Sequence, residues 1–428
     1  KAPGERWTNL AECHELYCAG HLIEAGVAFF QATSKRRLLE VVCRLADHID
    51  SVFGPDDNQL QGYPGHPEIE LALMRLYDVT QEPRYMALVN YFVEQRGAQP
   101  HFYDEEYEKR GQTSYWHTYG PAWMVKDKPY SQAHQPISEQ QTAIGHAVRF
   151  VYLMTGVAHL ARLSQDEGKR QDCLRLWKNM AQRQLYITGG IGSQSSGEAF
   201  SSDYDLPNDS VYAESCASIG LMMFARRMLE MEADSQYADV MERALYNTVL
   251  GGMALDGKHF FYVNPLEVHP KSLKFNHIYD HVKPVRQRWF GCACCPPNIA
   301  RVLTSIGHYI YTPRQDALYI NMYVGNSMEV PVVNGSLKLR ISGDYPWHEQ
   351  VKITIESPRS VYHTLALRLP DWCTAPQVLL NGQPVEQDIR KGYLHISRTW
   401  QEGDTLSLTL PMPVRRVYGN PLVRHVAG

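Results

Sequence analysis

The chain has 428 residues, too many for one ordinary hydrophobic core, so two or more domains are expected. Hydrophobic residues make up 44%, charged residues 21% and aromatics 11%, the profile of a folded globular protein rather than a disordered one. A net charge of −4, no long basic run and no stretch of about 18 apolar residues argue against nucleic acid, an anionic membrane surface and a membrane span.

The opening KAPGERWTNL reads as neither a signal peptide nor an initiator start, which suggests a fragment. From about Asn9 to about Tyr311 the apolar spacing is helical, and the segments come as pairs. Starts of this kind lie at GHLIEAGVAFF, GHPEIELALM, GHAVRFVYLM and CASIGLMMFA, with a fifth at NIARVLTSIGHYIY. The first helices carry Gly, Ala and Cys, which allow close backbone approach, whereas the second carry more Arg, Glu and Asp and suit an outer layer. Degenerate helix pairs of this kind predict an (α/α)6 toroid over residues 1–311, with an open solenoid as the alternative. Only five starts are visible, so a sixth pair is expected to precede Lys1.

Beyond Tyr311 the pattern alternates, in ALYINMYV, SMEVPVV, SLKLRIS, QVKITIES, TLALRLP, QVLL, YLHIS and TLSLTL. Asn334-Gly335 and Asn381-Gly382 sit between such runs as hairpin turns. An antiparallel β-sandwich is expected over residues 312–428, and NPLVRHVAG ends it without a clear stop.

The stretch WFGCACCPPNIAR crowds Cys292, Cys294 and Cys295 into four positions before two prolines. Neighbouring thiols rarely form an unstrained disulfide, so metal ligation competes. Upstream, YAESCASIG places Glu214 two residues before Cys216 at what reads as a helix entry. Glu214, Cys216, Cys294 and Cys295 together would make one carboxylate and three thiolates, a set that suits tetrahedral zinc. The same cysteines also read as buried packing residues, since a free thiol is a small apolar group. Nine cysteines, an odd number, suit free thiols in a reducing compartment, and a cytoplasmic location follows.

The glycine-rich ITGGIGSQSSGEAF lacks the Gly-Lys-Ser/Thr ending of a phosphate loop. It is expected to carry one acid, Glu198, on flexible backbone near the barrel rim, where a merely solvated glutamate is the alternative. His14, His66 and His146 each precede or open an inner helix, so they are expected to share one end of the barrel and bind hydroxyl groups. His21 is a competitor for the place of His14.

Together, GGIGS leading to Glu198, then YAESCA, then CCPPNIAR, resemble glycoside hydrolase family 127, the β-L-arabinofuranosidases, over nearly the whole chain. The resemblance implies a retaining glycosidase that uses zinc. Glu214, Cys216, Cys294 and Cys295 would be the ligands, Cys294 the nucleophile and Glu198 the acid/base. It also implies that His14, His66, His146 and Tyr262 contact the sugar. The expected substrate is a terminal β-L-arabinofuranosyl unit of a plant-derived glycan or glycopeptide. The family's early and late segments have no counterpart here, which leaves pocket completeness and any homodimer contact open. Glu198 is expected to begin protonated, then act as base. The rivals are a sugar epimerase working through histidine pairs and a non-catalytic carbohydrate-binding scaffold stapled by zinc.

Overall fold

The computed structural model describes residues 3–116, 120, 122–315, 317–333 and 335–426. Twelve helices occupy its first part: α1 Glu15–Thr33, α2 Arg37–Val52, α3 Ile69–Thr80, α4 Pro83–Gln95, α5 Phe102–Lys109, α6 Trp123–Lys126, α7 Ala147–Ser164, α8 Glu167–Arg183, α9 Ser215–Met231, α10 Ser235–Ala244, α11 Cys295–Thr304 and α12 Gly307–Ile310. Helices α1, α3, α7, α9 and α11 follow one another as the inner layer of the expected toroid, with α2, α4, α8 and α10 outside.

The close approach anticipated from small residues is physical. A Cβ on Gly220 of α9 would stand 2.4 Å from Cγ2 of Val151 on α7, and one on Gly156 of α7 would stand 2.9 Å from Cβ of Glu70 on α3. Fifteen consecutive residues of α7, Ala147–Ala161, are buried, so this helix is the hub of the domain. The C-caps Ser34, Gln81 and Gln165 take left-handed conformations that end α1, α3 and α7 and turn the chain to the outer layer.

Strands begin directly after α12: β1 Tyr311–Pro313, β2 Ala317–Ile320, β3 Asn326–Val332, β4 Gly335–Ser342, β5 Gln350–Ile355, β6 Val361–Arg368, β7 Gln377–Leu380, β8 Gln383–Pro384, β9 Ile389–Arg390, β10 Tyr393–Trp400 and β11 Thr405–Thr409. They form two sheets, β1-β2-β6-β10-β9 and β3-β4-β5-β11-β7-β8. All neighbours run antiparallel except β2, which lies parallel to β6. Alternating burial along β4 and β5 turns the apolar set inward. Asn381 and Gly382 both take positive φ between β7 and β8, the backbone a two-residue hairpin demands. The other expected turn, at Asn334-Gly335, involves a residue outside those described.

A buried arginine fastens the sheets to the helices. Arg368 on β6 pairs with Asp239 and Glu242 of α10 and donates to the Asn321 carbonyl, while Trp372 donates to Glu242 at 3.1 Å. Among the described residues, no helix is long and apolar enough to cross a membrane. No disulfide joins any of the nine cysteines.

Candidate active site

The inner helices all begin at the same end of the barrel. His14, Glu68, His146, Glu214 and Cys294 are the N-cap residues of α1, α3, α7, α9 and α11. That shared polarity gathers the positive ends of five helices around one cavity of about 610 Å³. The double proline after Cys295 now has a local explanation. Pro296 and Pro297 lie in the first turn of α11, where no intrahelical N–H bond is lost, and they start the helix immediately behind the paired cysteines.

Two helix starts supply four acidic donors. Cys294 Sγ lies 3.4 Å from Glu214 Oε1 and 3.8 Å from Cys295 Sγ; Cys295 Sγ lies 3.8 Å from Glu214 Oε1 and 3.5 Å from Cys216 Sγ. All four donor atoms fall within 4.8 Å of one another, and Glu214, Cys216 and Cys295 are buried. Glu214 Oε2 is buried without a hydrogen-bond partner. Burial, with the neighbouring Glu198 charge, pushes the Glu214 carboxyl up to about 8. Hydrogen bonding with Cys216 and Cys292 raises the Cys294 thiol, and burial raises Cys216 and Cys295. Four acids crowded out of water, with an orphaned carboxylate oxygen among them, form a cluster that could hold a metal cation. Cys292 is exposed and outside this set.

The segment carrying Tyr262 is pinned to the same helix start. Ser215 donates its N–H to the Tyr262 carbonyl, Val263 bridges Glu214, and Asn264 Nδ2 donates to the Ala213 carbonyl. Tyr262 is thereby held with its hydroxyl 3.0 Å from Cys294 Sγ. Ala213 and Glu198 take φ of 40° and 51°, strained values for side chains other than glycine that flank the cavity.

Glu198 is not a mobile loop acid, contrary to the expectation from its glycine-rich surroundings. Its Oε2 meets His146 Nε2 at 2.8 Å, its Oε1 accepts from the Tyr212 hydroxyl at 2.8 Å, and Ala199 beside it bridges His146 and Gln194. Nδ1 of His146 accepts the N–H groups of Val148 and Arg149, so the ring proton sits on Nε2 and is donated to Glu198. Against the burial that would raise it, these two donors and the Arg149 charge hold the Glu198 carboxyl below its ordinary value. His146 and Tyr212 both favour the carboxylate over the protonated form expected for an acid at the start of the reaction.

His14, His66 and His146 do converge. Their rings follow one another at 5.8 and 5.7 Å, and all three line the cavity. Burial, reinforced by the Arg149 charge, lowers His14 to about 4 and His66 well below its ordinary value, and burial also lowers His146. A neutral imidazole has one donor and one acceptor. At rest both nitrogens of His146 are engaged, by the helix N–H groups and by Glu198, while His66 donates from Nδ1 to the Pro67 carbonyl and keeps Nε2 as an acceptor for a hydroxyl. His21 lies about two turns beyond His14 on α1, 3.1 Å from Glu68, and also reaches the cavity wall.

Sequence reasoning missed Tyr17, Tyr130, Arg149, Tyr212, Asn298 and Arg301, all of which line or brace the cavity. Helical spacing could have found two of them, since Tyr17 follows His14 by three positions and Arg149 follows His146 by three. Arg149, 1% exposed, stacks on Tyr130 at 4.1 Å and donates to the Gly65 carbonyl and Ser131 Oγ, joining three of the walls.

Residues 1–308 match the family model described as the β-L-arabinofuranosidase GH127 catalytic domain, and residues 317–412 match the GH127 middle domain. The chain is 41% identical over 431 aligned positions to a non-reducing end β-L-arabinofuranosidase of Bifidobacterium longum subsp. longum, covering 99% of this chain and 64% of that protein. The crystal structure of a GH127 β-L-arabinofuranosidase from Geobacillus stearothermophilus T6 superposes with a TM-score of 0.94 at 52% identity, covering 99% of this chain and 66% of that one. A further GH127 β-arabinofuranosidase structure gives 0.86 at 36% identity, covering 99% and 64%. The chain thus spans just under two thirds of the length of these relatives.

Proposed function

The chain belongs to glycoside hydrolase family 127, and from that premise we propose that it is a zinc-dependent, retaining exo-glycosidase that releases terminal β-L-arabinofuranose. The observation that carries this reading is the placement of Cys294, 3.0 Å from Tyr262 and 3.4 Å from Glu214, in the same cavity as the His146–Glu198 pair. Glu198 and Glu214 offer oxygens within 4.8 Å of each other, so nucleophile and acid/base adjoin through Glu214. The substrate class is taken from the relatives, two of which act on β-L-arabinofuranosides by name.

Zinc is the metal that the donor chemistry supports. Three thiols and one carboxylate are soft enough to favour it over magnesium or calcium. Zn–S bonds of about 2.3 Å separate tetrahedral sulfurs by roughly 3.8 Å, close to the sulfur spacings here. Glu214, Cys216, Cys294 and Cys295 would hold it. When bound, it would keep the cysteines as thiolates at neutral pH and spread the charge they carry.

In the first step the Cys294 sulfur attacks the anomeric carbon, a C–S bond forms, and the bond to the leaving oxygen breaks. Glu198 delivers the proton to that oxygen. The sugar and its leaving group shield a carboxyl that is about one third exposed at rest, and the lost water favours its protonated form. Glu198 then takes a proton from water as the water oxygen attacks the same carbon, and the sulfur leaves as thiolate. Two inversions give net retention. Tyr262 orients the sulfur through its hydroxyl, while His14, His66 and His146 bind the sugar hydroxyls without adding charge. The free thiols suit a reducing compartment such as the cytoplasm.

Release of an aryl β-L-arabinofuranoside by the purified chain tests this directly. Turnover with retained configuration, lost in Cys294→Ser and in Glu198→Gln, is the expected result; turnover that survives either substitution refutes the assigned roles. About one zinc per chain, diminished in Cys216→Ser, is the expected metal content. A protein that contains no zinc and still hydrolyses the glycoside removes the metal from the account.

A further inference from the structure

A second cavity, of about 600 Å³, lies along the later turns of the same inner helices and meets the catalytic cavity at His21 and Arg301. Its walls carry four guanidinium groups, from Arg75 on α3, Arg226 and Arg227 on α9, and Arg301 on α11. Counter-charge among the described residues is short. Glu24 serves both Arg75, at 2.7 Å, and Arg301, at 2.5 Å. Glu230 serves Arg226 at 3.1 Å and Arg227 at 2.7 Å, and Arg162 also reaches it at 3.6 Å. Glu68 approaches Arg301 only at 3.6 Å, from the catalytic side, and Asp78 is engaged by His159.

Five guanidiniums, Arg162 included, thus face four carboxylates, Glu24, Glu230, Glu68 and Asp78, which leaves positive charge in excess around a half-open cavity. The neighbours register it. After burial, the largest causes holding His308 down to about 4 are Arg226 and Arg75, with Arg227 next. Burial lowers Arg226 against the opposing charge of Glu230, the Arg227 and Arg75 charges add to that effect, and Arg227, closer to Glu230, is raised instead. Service to helix ends does not account for the arrangement. Arg75, Arg226 and Arg227 sit four or five residues before their helices end, about one turn away, where the terminal dipole has faded.

We propose that this cavity is a binding site for a small oxyanion, such as a phosphate, sulfate or carboxylate group, held between Arg75, Arg226 and Arg227. Guanidinium forks from two helices meet an oxyanion with charge-assisted hydrogen bonds, and the cavity's size admits an organic body behind the anionic group.

Thermal unfolding of the intact chain tests it, with sodium phosphate, sulfate or malonate titrated at constant ionic strength against chloride. A saturable rise in Tm that follows a single-site isotherm is expected with at least one of the three. Their order of midpoints identifies whether tetrahedral anions or carboxylates are preferred. In Arg226→Gln the midpoint is expected to rise about tenfold or more, and in Arg226→Lys by less. Calorimetric titration of the same anions into wild-type protein gives a second readout that does not depend on how the variants fold. Absence of any saturable effect in both measurements overturns the proposal, as does a Tm rise of equal midpoint in wild type and Arg226→Gln.

Discussion

His146 donates its Nε2 proton to Glu198 across 2.8 Å, while its Nδ1 caps α7 by accepting from Val148 and Arg149. One imidazole therefore fixes both the start of the hub helix and the ionisation of the candidate acid/base. Tyr212, donating to the other oxygen of Glu198, acts in the same direction.

From this follows a pH dependence. Glu198 in the free enzyme is held below its ordinary value of 4.5, so the form that can protonate a leaving group declines as pH rises through that lowered value. The kcat/KM profile is expected to fall on its basic side at acidic pH. Tyr212→Phe removes one donor to the carboxylate, raises the Glu198 pKa and shifts that limb to higher pH. Rate profiles of the two proteins check this; a limb above neutrality that does not move contradicts it.

Tyr262→Phe deletes the hydroxyl beside the Cys294 sulfur and leaves the four metal donors in place. A loss in kcat of about tenfold or more is expected, with metal content unchanged. Parallel kinetics and elemental analysis separate an effect on the sulfur from loss of the metal cluster.

Glu24 ties α1 to α3 and α11 through Arg75 and Arg301, and those charges hold its carboxyl down at about 2 despite burial. Glu24→Gln removes the charged partner of two half-buried guanidiniums, of which Arg301 keeps Glu68, and is expected to cost about 1–3 kcal/mol at neutral pH. The wild-type advantage is full above the ordinary carboxyl value of 4.5 and fades as pH falls towards 2. Denaturant unfolding of both proteins across that range measures it.

Gly220→Ala would drive a methyl group into Val151 across the α7–α9 contact. Overpacking there is expected to cost about 1–3 kcal/mol, read as a lower urea midpoint at unchanged slope.

What the chain displayed openly was periodicity and clustered chemistry. The helix pairs, the alternating runs from Ala317 to Thr409 and the four-residue cysteine group announce themselves locally. The shared end of the three histidines followed from their common place at helix starts. Hidden residues are those whose meaning depends on distant partners. Arg301 and Glu24 meet across 277 positions, and Arg149 is defined by the carbonyl of Gly65 and the ring of Tyr130. Glycine around Glu198 suggested mobility, yet two side-chain hydrogen bonds and a short bridge fix that loop, and no local pattern encodes them.

The central claim is that the Cys294 sulfur forms a bond to the sugar. Glu198→Gln, incubated with a β-L-arabinofuranoside whose leaving group needs no protonation, should complete the first step and stall before hydrolysis, because water lacks its base. Peptide mass spectrometry of the quenched protein is the decisive measurement. The account predicts one anhydro-pentose added to the peptide containing Cys294; an adduct on another residue, or hydrolysis with inverted configuration and no adduct, would contradict it.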